Sequence, residues 1–132
     1  MSNKKGFTLV EILVAVVIVG ILAAVGLPNY IMIKEKTLNR EAKATLELIR
    51  AAEKIYRMEY GAYYGPESDP ATINQFLKIN LPVTAAPLWS ISVDSASSIG
   101  TASRTVGPDV RVWTITFQGD NPPTCPAGTY CP

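Results

Sequence analysis

The chain has 132 residues, with 12 basic and 11 acidic side chains, no histidine and a formal net charge of +1. That balance supplies no global field for nucleic acid, and setting aside its one long apolar segment leaves roughly 100 residues, about one small domain. Without histidine, and with no phosphate-cradling glycine loop or carboxylate pair on an expected scaffold, the composition argues against an enzyme.

Residues 1–6 are short, polar and basic, and Lys4 and Lys5 stand ahead of an apolar run. From Phe7 to Leu27 the only charge is Glu11, one turn inside the leading edge. About 20 residues at 1.5 Å per residue cross a bilayer core, so a spanning helix is expected over 7–27. The two lysines orient it with the N-terminus cytoplasmic and the remainder outside. An unpaired carboxylate at that depth costs ~2.5–3.5 kcal/mol even on insertion scales, so Glu11 is expected to have a positive partner. The nearest candidate is the amine that a cut before Phe7 would create.

Gly26-Leu27-Pro28 then interrupts the run. Proline deletes one helical hydrogen bond and clashes with the preceding turn. A kink is expected here and not an end, because helical spacing resumes at once. Ile31, Leu38, Ala42, Thr45, Ile49, Ala52, Tyr56 and Tyr60 recur at that spacing, flanked by Ala44, Leu48, Ala51, Ile55 and Met58. Lys43–Glu47 and Glu53–Arg57 are assigned to the opposite, solvated face as i,i+4 pairs. Gly61 reads as a left-handed C-cap, which makes 28–60 an amphipathic continuation of one long helix. Tyr56, Tyr60, Tyr63 and Tyr64 read as an aromatic staple holding the next loop to the helix.

Residues 61–132 form the expected head. They carry Lys78, Arg104 and Arg111 against Glu67, Asp69, Asp94, Asp109 and Asp120, and nine of the ten prolines. A short helical turn is expected within Ala71–Ile79. Trp89–Val93 and Arg111–Phe117 alternate as strands, with Trp113, Ile115 and Phe117 on one face, and Ser95–Gly107 is a third, weaker candidate. An antiparallel sheet laid over the amphipathic half of the helix is an α+β arrangement. Asp94, Asp109 and Asp120 read as solvated loop residues, with a calcium site in a sheet loop as the lesser reading. Arg104 and Arg111 form at most a small basic spot for DNA. Asp120-Asn121-Pro122-Pro123 ends the last strand and a cysteine loop follows.

Cys125 and Cys131 are the only cysteines. Two thiols without histidine do not make an ordinary four-ligand zinc site, and no other metal or cofactor is expected. The Pro-Ala-Gly between them favours a turn that brings them together, so a disulfide and an oxidising compartment are expected.

The stretch Lys4-Lys5-Gly6-Phe7-Thr8-Leu9-Val10-Glu11, the unbroken apolar run and the Gly26-x-Pro28 break resemble the processing site of type IV pilins and type II secretion pseudopilins. A looser likeness extends to Tyr60-Gly61-Ala62-Tyr63, so about the first half of the chain is covered. The resemblance implies cleavage between Gly6 and Phe7 by a membrane prepilin peptidase, which also methylates the new amine of Phe7. It implies a subunit held in the inner membrane, passed to an inner-membrane assembly platform and packed with its copies into a helical filament. Glu11 of one copy would there meet the Phe7 amine of its neighbour, and Gly26 and Pro28 would mark where the helix opens or bends. No specific nucleic acid is expected as a partner. A plain membrane anchor leaves Glu11 unexplained, and a secretory signal ending near Ala23, Ala24 and Gly26 ignores the amphipathic continuation. Two functions fit the resemblance. One is a surface pilus subunit for attachment, motility or DNA uptake; the other is a subunit of a periplasmic pseudopilus for protein export. The C-terminal disulfide favours the pilus, since the main pseudopilins commonly rely on calcium.

Overall fold

The computed structural model describes residues 6–127 and 131. Its longest element is α1, Leu9–Tyr60, 52 residues long, which contains Pro28. The chain divides into two compact units, residues up to Lys36 and residues from Thr37 onward.

In the first unit every described side chain from Gly6 to Lys34 is exposed. The helix begins at Leu9, two residues later than the expected start, and runs unbroken across Gly26 and Pro28. Pro28 has no N–H to donate to the Ala24 carbonyl one turn back, and beside it Asn29 Nδ2 donates to the Val25 carbonyl at 3.4 Å.

In the second unit, α1 buries Leu38, Ala42, Leu46, Ile49 and Ala52, spaced four, four, three and three apart. That stripe is narrower than the sequence pattern implied. Leu46 belongs to it, whereas Leu48, Ile55 and Met58 on the expected flank are 47%, 54% and 78% exposed. The second correction concerns the opposite face: Glu53 is fully buried. The expected pairs give way to other partners. Arg57 Nη1 donates to the Tyr63 hydroxyl at 2.9 Å, and Lys43 Nζ lies 4.5 Å from the Trp113 ring centre.

Gly61 closes the helix at φ +80°, donating its N–H to the Arg57 carbonyl at 2.8 Å, a left-handed position that glycine takes without a Cβ clash. Helix α2, Pro70–Leu77, follows. Asp69 caps it by accepting from the Thr72 N–H and hydroxyl, which lowers the Asp69 pKa. Pro70 occupies the first turn, where a missing N–H costs nothing.

The sheet is an antiparallel meander of β1 (Ser90–Asp94), β2 (Ile99–Val106), β3 (Asp109–Thr116) and β4 (Thr124–Ala127), in that spatial order. The weak third candidate is a full eight-residue strand, β2, in the sheet interior. Across the β2–β3 ladder, Trp113 faces Ala102 and Ile115 faces Gly100, so each large side chain sits opposite a small one. A Cβ on Gly100 would lie 3.1 Å from Phe117, 3.2 Å from Ile115 and 3.6 Å from Leu46. Glycine here lets helix and sheet close. Trp113, Ile115 and Phe117 are all buried, as their alternation implied, in one core with Leu46, Ile49, Ile73 and Ile91.

Strand β4 is the element the sequence pattern did not suggest. Thr124 and Ala127 pair with Thr114 and Val112, with an irregularity between them. The cysteine loop thus begins inside the sheet. The opposite edge is covered too, because Glu67 exchanges backbone hydrogen bonds with Val93 at 2.9 and 2.8 Å. The turn after β3 is stitched to α1 by Arg50 donating to the Asn121 carbonyl and by Lys54 reaching the Gly119 carbonyl and Asp120. These fastenings, with the core, make an α+β head in which the second half of the helix packs on a four-stranded antiparallel sheet.

Candidate functional site

The chemistry flagged by the sequence lies at the start of α1. Thr8 and Glu11 form a reciprocal capping pair at that terminus. The Thr8 N–H and hydroxyl both donate to Glu11 Oε2 at 3.3 Å, and the Glu11 N–H donates to Thr8 Oγ1 at 3.3 Å. This satisfies backbone donors that otherwise have no helical partner and puts the carboxylate at the positive end of the helix dipole. Glu11 is therefore solvated by its own helix terminus within one chain. The Thr-x-x-Glu spacing that produces this arrangement is readable in the sequence, where Thr8 carried no assigned role.

Phe7 is 80% exposed, and a Cβ at Gly6 would meet nothing within 4 Å. The Gly6–Phe7 peptide is thus an open segment ahead of the first turn. Beyond Glu11, α1 is long and apolar enough to cross a membrane. Its apolar side chains project on every side, as in a helix that must find lipid or other helices around it. Gly26 and Pro28 lie inside this helix, far along it from Glu11.

Cys125 and Cys131 are joined by a disulfide with Cα atoms 5.7 Å apart, which ties residue 131 back to β4. The acidic residues of the head do other work. Asp94 accepts from the Ala96 and Ser97 N–H groups and the Ser97 hydroxyl, contacts that hold its carboxyl below the usual range. Asp120 is lowered chiefly by its hydrogen bond and charge pair with Lys54. Among the described residues no three acidic or cysteine side chains converge as a metal-ligand set.

The proposed basic spot also dissolves. Arg111 is fully buried and donates from Nη1 to Asn39 Oδ1 at 2.9 Å, an oxygen that Trp113 Nε1 approaches at 3.4 Å. The helix thus supplies an acceptor to one nitrogen of this buried guanidinium.

A second surface appears between the exposed flank of α1 and α2. Leu48, Ala51 and Ile55 line an apolar groove with Phe76 and Ile79. Leu48, Ile55 and Phe76 are each more than two-fifths exposed, so the groove is open apolar surface that the second unit leaves uncovered.

Comparisons with known proteins converge on the N-terminal segment. Residues 1–27 match the family model described as the prokaryotic N-terminal methylation motif. The chain is 39% identical to the type IV major pilin protein PilA of Myxococcus xanthus over 61 residues, 46% of this chain but 28% of that protein. It is 29% identical to the type IV wide pilus major component PilA4 of Thermus thermophilus over 139 aligned positions, 96% of this chain and 100% of the relative. With the type II secretion system core protein G of Klebsiella pneumoniae it shares 35% identity over 63 residues, 48% of this chain and 45% of that protein. The chain thus spans less than half the length of two of these relatives and the whole of the third. No solved structure matches it. Taken with the capped glutamate, the apolar helix and the helix-on-sheet head, these likenesses support the family of type IV pilins and type II secretion pseudopilins as the one this chain resembles.

Proposed function

We propose that this chain is a structural, non-enzymatic subunit of a type IV pilus. It is made as an inner-membrane precursor, cut between Gly6 and Phe7 by a prepilin peptidase, methylated at Phe7 and assembled with its copies through the inner-membrane platform. The observation that carries the reading is the pairing of an apolar helix, exposed on every side and capped by Glu11, with similarity to a pilus component along that relative's whole length. Leaving lipid is costly for such a helix unless other copies surround it. In a filament core, the Phe7 amine of one copy and Glu11 of the next would neutralise each other. Each charge unpaired there would cost several kcal/mol, so the pair would set the axial register. The open groove beside Leu48 and Ile55 suits contact between heads of neighbouring copies. Gly26 and Pro28, where a backbone hydrogen bond is already missing, would be where the helix yields on assembly. The pilus would carry attachment, motility or DNA uptake outside the cell.

The similarity to core protein G supports a second reading, a periplasmic pseudopilus for protein export, but it covers only the first half of this chain. Filaments sheared from the cell surface are expected to contain the chain beginning at N-methylated Phe7, as read by mass spectrometry. Recovery of the chain from the cell envelope alone would replace the pilus with the pseudopilus. An intact Met1 in assembled filaments would remove the processing step from both.

A further inference from the structure

The second unit holds one buried acid that neither the helix terminus nor the groove uses. Glu53 has no exposed surface, and its two carboxyl oxygens differ sharply. Oε2 accepts from the Tyr64 N–H at 2.8 Å, across the loop that follows α1, whereas Oε1 has no hydrogen-bond partner. The loop itself runs between two glycines in positive-φ conformations, Gly61 at +80° and Gly65 at +117°. It is fastened by rings as well as by Glu53. Tyr64 stacks on Phe76 at 4.8 Å and meets Tyr56 edge-on at 5.5 Å, and Tyr63 packs on Phe117 at 5.3 Å.

The charged neighbours do not rescue Glu53. On its own helix, Arg50 donates to the Asn121 carbonyl, Lys54 is taken by Asp120 and Arg57 by the Tyr63 hydroxyl. Glu59 and Tyr56 face the groove toward Lys78 at the end of α2. From the segment ahead of α2 come Glu67 and Asp69, both acidic and both accepting from local N–H groups. The loop side offers Tyr64, whose phenol is held neutral because burial, and then the nearby Glu67, Tyr56, Glu53 and Asp69, raise its pKa. An ionised Glu53 would thus be a buried charge with one oxygen unmatched, a costly state that water or a cation relieves only if the loop moves.

We propose that Glu53 is a proton-operated latch on the Gly61–Gly65 loop, closed when its carboxyl is neutral and released when it ionises. In the closed form Glu53 holds the Tyr64 N–H while Arg57 holds the Tyr63 hydroxyl. Opening hydrates Glu53 and frees Arg57, one turn further along α1, to pair with it at the i,i+4 spacing read from the sequence. The two glycines absorb the backbone change, and the tyrosine contacts keep the closed form a distinct state. The latch operates alike in a pilus and in a pseudopilus.

The working range is set by the carboxyl. Burial pushes the Glu53 pKa from 4.5 up to about 7, against the lowering effect of the Tyr64 N–H. Because the closed form keeps its proton longer than the open one, the closed form is favoured at low pH and loses ground as pH rises toward 7. The opening constant then grows about tenfold per pH unit between the two values and levels off above them. The chain has no histidine, so no other side chain with an ordinary pKa changes charge across the upper part of that range.

The test is amide hydrogen exchange at Tyr64 in the full chain in detergent micelles, with rates divided by the intrinsic rate at each pH. Protection is expected to fall about fortyfold from pH 5 to pH 7 and to flatten above pH 8. In Glu53→Gln, which keeps an acceptor for Tyr64 and cannot ionise, protection should stay level over the same range. An equal fall in both proteins, or a level profile in the wild type, overturns the latch. A carboxyl-carbon NMR titration of Glu53 in the wild type decides the matter even if the variant folds poorly. A midpoint near 7 supports the latch, and a midpoint at the ordinary carboxyl value overturns it.

Discussion

The two units of this chain treat apolar side chains in opposite ways. Up to Lys34 the described residues of α1 bury nothing, although nearly all of them are apolar. From Leu38 onward the same helix buries one side of itself against α2 and the sheet and leaves polar and apolar residues outside. The two stretches differ in hydrophobicity, but whether an apolar side chain is buried follows the presence of a partner within the chain. The second unit supplies its helix with Trp113, Ile115 and Phe117, whereas the described residues up to Lys34 have no such apolar partner in the chain. Even the second unit is incomplete along one line, the Leu48–Ile55 flank.

Three substitutions would break or sharpen that contrast. The largest effect is expected from Glu11→Ala, which should abolish or severely reduce filament yield while thermal unfolding of the head in detergent stays unchanged. Normal filaments from that variant would end the role assigned to Glu11. Trp113→Ala should act on the other unit, costing the head about 3–5 kcal/mol, as large aromatic deletions in a packed core do. A cost below ~1 kcal/mol in denaturant unfolding would mean that the sheet face is not the organising contact. The smallest effect on stability is expected from Ile55→Ser, within about 0.5 kcal/mol because the side chain is more than half exposed. Its filament yield should nevertheless drop; unchanged assembly would show that the open flank is ordinary surface.

Much of the fold was legible because it follows from local rules. The run from Phe7, the resumption of helical spacing after Pro28 and the stop at Gly61 mark α1 almost to the residue. The alternation in Arg111–Phe117 marks the face that is buried. At the functional segment, Thr8-x-x-Glu11 carries its own capping geometry, a spacing readable from the residues alone. The sheet was less legible where side chains are small and polar. In β2, Gly100 and Ala102 are chosen by what Ile115 and Trp113 need opposite them, a requirement that sits on another strand. Strand β4 contains a proline and lies at an edge, so its pairing depends on β3 and not on its own propensity.

By itself, then, the sequence determined the long helix, its apolar first half, the glutamate at its head and the cysteine pair, Cys125 and Cys131. Periodicity, capping and spacing act between residues a few positions apart, so the order of residues is sufficient. Only the tertiary structure decided which flank of α1 is covered, that Arg111 lies inside with Asn39, and that Glu53 is buried and not paired on a solvated face. An acid four residues before an arginine reads as a surface pair until another part of the chain is laid over it. Here that part is the Gly61–Gly65 loop, and burial under it turned an expected salt bridge into a candidate switch.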